Sequence, residues 1–118
     1  AKKEQETLKN LIEFDEGSRY LGEVALIPYD SPISQSGILF RNTLFDENAS
    51  CHLALGASYP DNLKNGTEMK REELEKLGSN YSKIHCDFMF GSDDMNITGT
   101  TFDGRKIQVF KDGNFAID

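Results

Sequence analysis

The sequence has no tryptophan, only two cysteines, two histidines and three prolines, and fewer basic than acidic residues. Each shortage excludes something. Two cysteines are too few for the disulfide scaffold of a small secreted domain, so a reducing cytoplasm is the expected location. Lys plus Arg number 13 against 20 Asp plus Glu, a formal net charge of −7. That balance excludes a nucleic-acid binder working through clustered basic side chains, because Lys2, Lys3, Lys70 and Arg71 are interleaved with glutamates. No apolar run is long enough to span a membrane, and the charged first ten residues carry no signal-peptide pattern.

What is present is one domain's worth of chain, 118 residues with 37% hydrophobic side chains. Residues 2–14 space Leu8, Leu11 and Ile12 as one face of a helix. Glu23–Pro28 turns strand-like and apolar, which suits a strand covered on both faces. Tyr29–Gly37 reads as a turn-rich loop and Ile38–Phe40 as a second short strand. After Asp46 the leucines and alanines around His52 predict one or two helical turns, capped by Asn48 or Ser50 and ending near Gly56. Residues 67–77 predict a charged helix stopped by Gly78. Short β segments follow at Ile84–Phe90, Met95–Thr100, Lys106–Phe110 and Asn114–Ile117, and Asp-Gly marks the turns FDGRK and KDGN. The expected class is α+β with a mostly antiparallel sheet and short helices.

His85 and Asp87 stand two apart on a predicted strand and so share a face. Burying an imidazole and a carboxylate among Ile84, Phe88 and Phe90 is costly without a partner, and a divalent ion would satisfy both. Imidazole with carboxylate suits zinc, cobalt or manganese. An H-x-D pair is common without any metal, however, and a sheet-edge His beside a hydrogen-bonded Asp explains it equally well. His52 on a helical face has the same bland reading, Tyr59 can simply pack, and Glu23 can end a strand in solvent. Asp46 and Glu47 suit a helix N-terminus. Cys51–His52 and His85–Cys86 suggest a structural Cys2His2 zinc site, but adjacent residues point apart in helix and strand alike.

Longer stretches separate these readings. LGEVALIPYDSPISQSGILFRNTLFDENASCHLALGASYP, followed by IHCDFMFGSDDMNITG, resembles the C-terminal part of the aminopeptidase T family, the thermophilic metalloprotease group that includes aminopeptidase S. The resemblance runs from about Asp15 to the last residue. It implies a metallo-aminopeptidase that holds two divalent ions (zinc, cobalt, manganese or magnesium) and removes N-terminal residues from peptide substrates. It also implies a homodimer, with neither nucleic acid nor membrane as a partner. Residue by residue, it makes Glu23 of GEVAL, His52 of ENASCH, and His85 and Asp87 of H-x-D the metal ligands. Tyr59 of A-S-Y-P takes a catalytic role. The family has a further metal-binding Glu well upstream, in a much longer chain with an N-terminal α/β domain, and nothing here matches that Glu. On this reading residues 1–118 are the C-terminal metal-binding domain of a two-domain enzyme, inactive alone. The competing expectations are a non-catalytic interaction or dimerisation module and the Cys2His2 zinc domain.

Overall fold

The computed structural model describes residues 2–42 and 46–117; Leu44 and Phe45 of the LFDENASCH motif lie outside them. The class is α+β. Among the described residues the elements run in the order α1 (Lys2–Ile12), β1 (Leu21–Ala25), α2 (Pro32–Ser36), β2 (His52–Gly56), α3 (Arg71–Lys76), β3 (His85–Met89), β4 (Ile97–Thr100), β5 (Lys106–Lys111) and β6 (Asn114–Phe115). They build two three-stranded sheets, ordered β1-β2-β3 and β4-β5-β6. The chain divides into two compact units, Ala1–Val24 with Leu53–Phe88 and Ala25–His52 with Met89–Asp118.

The first unit is held more by polar pins than by an apolar core. Of its described hydrophobic residues, Ala54 alone is fully buried. Gly17 lies so close to the neighbouring chain that a Cβ there would stand 1.7 Å from the Tyr81 carbonyl oxygen. Beside it, the Asp15 carboxylate accepts from the Ser82 hydroxyl and the Lys83 amide, each at 2.8 Å. Those bonds hold the Asp15 pKa below its ordinary 3.8, the Lys83 amide having the largest effect. The fully buried Ser18 hydroxyl faces the carbonyls of Ile12 and Asp15 at 2.9 and 2.7 Å, and so closes the end of α1.

The second unit packs Phe110 in full burial against Phe115, edge to face at 4.5 Å between ring centres. The β5–β6 turn has Asp112 and Gly113 at φ 50° and 80°, the paired left-handed residues that the Asp-Gly dipeptide predicts. The buried Cys51 thiol meets the backbone nitrogen and oxygen of Ile27 at 3.2 and 3.3 Å.

Four local expectations change. The residues from His52 to Gly56 form a strand, not a helix: His52, Ala54 and Gly56 are buried while Leu53 and Leu55 are half-buried, a period of two. Leucine and alanine favour helix intrinsically, but the pairing available in the middle of a sheet outweighs a propensity of tenths of a kcal/mol, here about 0.2 or less per residue for Leu and Ala. A 3-10 turn, Glu47–Ala49, precedes it. Within Tyr29–Gly37 a short helix forms, because the Ser31 side chain accepts from the Ser34 amide, Pro32 opens the first turn, and Gly37 closes it at φ 63°. Ile38–Phe40 forms no strand. Finally, β1 is not covered on both faces, since Leu21 and Val24 are exposed.

Candidate metal centre

The first unit gathers four of the five residues singled out from the sequence. Residues 85 and 87 alternate onto one face of β3, and Cys86 takes the other. His85 Nε2 lies 3.5 Å from Glu23 Oε2 of β1 and 3.4 Å from Asp87 Oδ1. A carboxylate oxygen of Glu23 and one of Asp87 lie within 4.8 Å of each other. The Tyr59 ring stands 4.9 Å from the His85 ring, tilted by 39°. All three ligand candidates are partly shielded, with side-chain exposures of 19% for His85, 27% for Glu23 and 20% for Asp87.

The far side of the His85 ring is fixed as well. Its Nδ1 lies 2.7 Å from the Ala57 carbonyl oxygen. A carbonyl can only accept, so Nδ1 carries the hydrogen and Nε2 faces the carboxylates. Burial by itself would lower the His85 pKa. The Ala57 carbonyl and the charges of Asp87 and Glu23 outweigh it and leave the value above the ordinary 6.5.

Asp87 Oδ1 is the one buried side-chain oxygen or nitrogen among the described residues with no hydrogen bond. Its contact with Nε2 at 3.4 Å is electrostatic and too loose to satisfy it. An unsatisfied buried carboxylate oxygen costs free energy, and so needs a partner the protein side chains do not supply. One imidazole nitrogen and two carboxylates are a donor set for a hard or borderline divalent ion, so these residues fit a metal.

His52, the first residue of β2, belongs to the second unit. It is 2% exposed, and its Nδ1 lies 3.0 Å from the Ser50 carbonyl. Asp46 is also in the second unit, where its two oxygens accept from the Phe40 and Asn42 amides at 2.8 and 3.1 Å. Asp46 also stands at the N-cap of the 3-10 turn, with Glu47 in its first turn. The Cys51 thiol is engaged with Ile27, and both cysteines are free thiols.

Sequence reasoning passed over two residues beneath this cluster. A Cβ on Gly22 would stand 2.4 Å from the carbonyl oxygens of both Gly56 and Ala57. A glycine inside a strand is a sign of close backbone approach, so this one was findable. Asn80 pins the same stretch through carbonyl groups, and no sequence signal marks it.

The thermophilic metalloprotease (M29) family matches residues 1–115. The chain is 62% identical over 116 residues to aminopeptidase AmpS of Bacillus subtilis, covering 98% of this chain and 28% of that protein. It is 55% identical to aminopeptidase 2 of Geobacillus stearothermophilus, covering 96% of this chain and 27% of the relative. The solved structure of wild-type AmpT from Thermus thermophilus superposes with a TM-score of 0.80 at 43% identity, over 95% of this chain and 27% of that one. The chain thus spans little more than a quarter of the length of the relatives it matches.

Proposed function

The chain belongs to the thermophilic metalloprotease (M29) family, and from that premise we propose that it forms metal-binding walls of an aminopeptidase that removes N-terminal residues from peptides. The observation that carries the reading is the Glu23–His85–Asp87 cluster with its unsatisfied buried oxygen. Glu23, His85 and Asp87 hold metal in this reading. His52 joins them on the strength of the ENASCH motif; with Nδ1 facing the Ser50 carbonyl, Nε2 is its coordinating atom. Two divalent ions bound there would lower the pKa of a water and polarise the scissile carbonyl.

The chain's own residues supply orientation and charge. The Ala57 carbonyl keeps the proton of His85 on Nδ1, and Glu23 and Asp87 concentrate negative charge opposite Nε2. Tyr59, set against the His85 ring, donates its hydroxyl hydrogen to the oxygen that gains charge as the peptide bond is attacked. The proton released by the attacking water goes to a carboxylate. Asp46 is committed to two backbone amides, which leaves Glu47 and a Glu upstream of these residues for that task. Because the family pattern has a further metal-binding Glu upstream, the catalytic unit in this reading is the whole protein, a cytoplasmic homodimer, and residues 1–118 are inactive alone.

The test removes metal from the full-length protein with a chelator and follows hydrolysis of a free peptide and its N-acetylated form. Activity lost on removal, restored by zinc, cobalt, manganese or magnesium, and confined to the free amine is expected. Undiminished activity without metal, or equal cleavage of the acetylated peptide, rejects the reading.

A further inference from the structure

We propose that Asn80 is a positioning residue for His85, clamping Gly56–Ser58 so that the Ala57 carbonyl holds the imidazole with Nε2 turned toward Glu23 and Asp87. The inference rests on the metal-binding reading of that cluster and adds the part that keeps it in register.

Two peptide planes flank Ala57, and each is held from both sides. In the first, the Gly56 carbonyl accepts from Asn80 Nδ2 at 2.6 Å while the Ala57 amide donates to the Ile84 carbonyl at 2.8 Å. In the second, the Ser58 amide donates to the main-chain carbonyl of Asn80 at 2.9 Å, and the Ala57 carbonyl accepts from His85 Nδ1 at 2.7 Å. A trans peptide is planar, with its C=O and N–H pointing opposite ways. Asn80 thus holds one side of both planes, and β3 with the residue before it holds the other. The main-chain carbonyl of Asn80 holds the Ser58 amide, and its side-chain amide, the part a substitution removes, fixes the Gly56 plane that sets the direction of the next one and so aims the Ala57 oxygen at His85.

The stretch needs such a clamp. Gly56 sits at φ 101°, and a glycine leaves that angle unrestrained. Nor can another residue replace it, since a Cβ there would lie 2.2 Å from the Ile84 carbonyl oxygen. Conformation at 56 must therefore be imposed by neighbours. Asn80 is built to do so: its second amide hydrogen goes to the Gly17 carbonyl at 2.8 Å, in the segment tied down by Asp15 and Ser18. Both partners are carbonyls, which leaves one orientation for the side-chain amide. The Ser58 hydroxyl adds contacts to the Asn80 carbonyl at 3.2 Å and to Ser79 Oγ at 2.6 Å.

The experiment measures zinc affinity of the full-length protein, by chelator competition, for Asn80→Ala, His85→Ala and the double variant. Loss of a group that orients a metal-bound imidazole typically weakens binding about 10- to 100-fold, and Asn80 acts one bond further out, so about tenfold is expected. Because Asn80 acts through His85, adding Asn80→Ala to His85→Ala should change affinity less than about twofold. Unchanged affinity in the single variant, or equal weakening in both backgrounds, overturns the proposal. Should Asn80→Ala fail to fold, Asn80→Ser keeps one donor and is read the same way. The His85 Hδ1 resonance of the metal-free protein separates this idea from its premise. If His85→Ala binds zinc normally, the metal reading falls, whereas a slowly exchanging Hδ1 signal lost in the Asn80 variant still reports the clamp. An Hδ1 signal indifferent to Asn80 removes it.

Discussion

The Nδ1 of His85 stands 2.7 Å from the carbonyl oxygen of Ala57, and that single bond decides which ring nitrogen faces the carboxylates. Everything chemical about the cluster depends on it. A ring flipped the other way would put ring carbons where the two nitrogens stand, so the Ala57 oxygen would lose its donor and Glu23 and Asp87 would face a C–H instead of Nε2.

The bond has a pH consequence. His85 has its pKa raised above 6.5 by the Ala57 carbonyl, Asp87 and Glu23, against the opposing effect of burial. In the metal-free protein the protonated ring therefore contributes stability that is complete below pH 6.5 and is lost as pH rises through the higher folded value. Metal binding runs in the opposite sense, since it requires the neutral ring. Zinc affinity should rise between pH 6 and pH 8 with release of a proton, read by titration calorimetry in buffers of different ionisation enthalpy. Binding heats independent of the buffer would remove His85 as a ligand.

Tyr59 gives a prediction about rate. In the proposed mechanism its hydroxyl serves the charge that builds during reaction and not the metal, so Tyr59→Phe in the full-length protein should lower kcat by about 100- to 1000-fold, as loss of one oxyanion donor does. Metal content by elemental analysis should be unchanged. A variant that turns over normally, or one that loses its metal, would assign Tyr59 a different job.

Gly22 tests the geometry from below. Gly22→Ala places a methyl group 2.4 Å from the Gly56 and Ala57 carbonyl oxygens, so β1 or the Ala57 peptide must shift. Overpacking of this kind costs about 1–3 kcal/mol. The expected outcome is a lower unfolding midpoint together with weaker zinc binding, because the displaced carbonyl is the one that holds His85. Loss of stability with unaltered zinc affinity would separate the packing from the site.

How much of this was legible beforehand differs from residue to residue. The Asp-Gly turn at Asp112 and Gly113 was readable because its φ values admit few other residues. His85 and Asp87 were readable as a pair because strand alternation is local. β2 was misread because Leu53, Ala54 and Leu55 are good helix formers, and only the pairing with residues far along the chain makes them a strand. The meeting of Glu23 with His85 joins residues 62 positions apart and follows from sheet order, which spacing alone could not supply. Asn80 was invisible for a related reason: its role lies in carbonyls of Gly17 and Gly56, and a backbone partner leaves no trace in residue type.

The central claim is that Glu23, His85 and Asp87 are the donors of a metal site. An anomalous difference map from crystals of the full-length protein grown with zinc tests it most directly. The account predicts a peak at coordination distance, about 2.0–2.2 Å, from His85 Nε2 and from carboxylate oxygens of Glu23 and Asp87. Zinc bound elsewhere, with Asp87 Oδ1 hydrogen-bonded to His85 in its place, would contradict it.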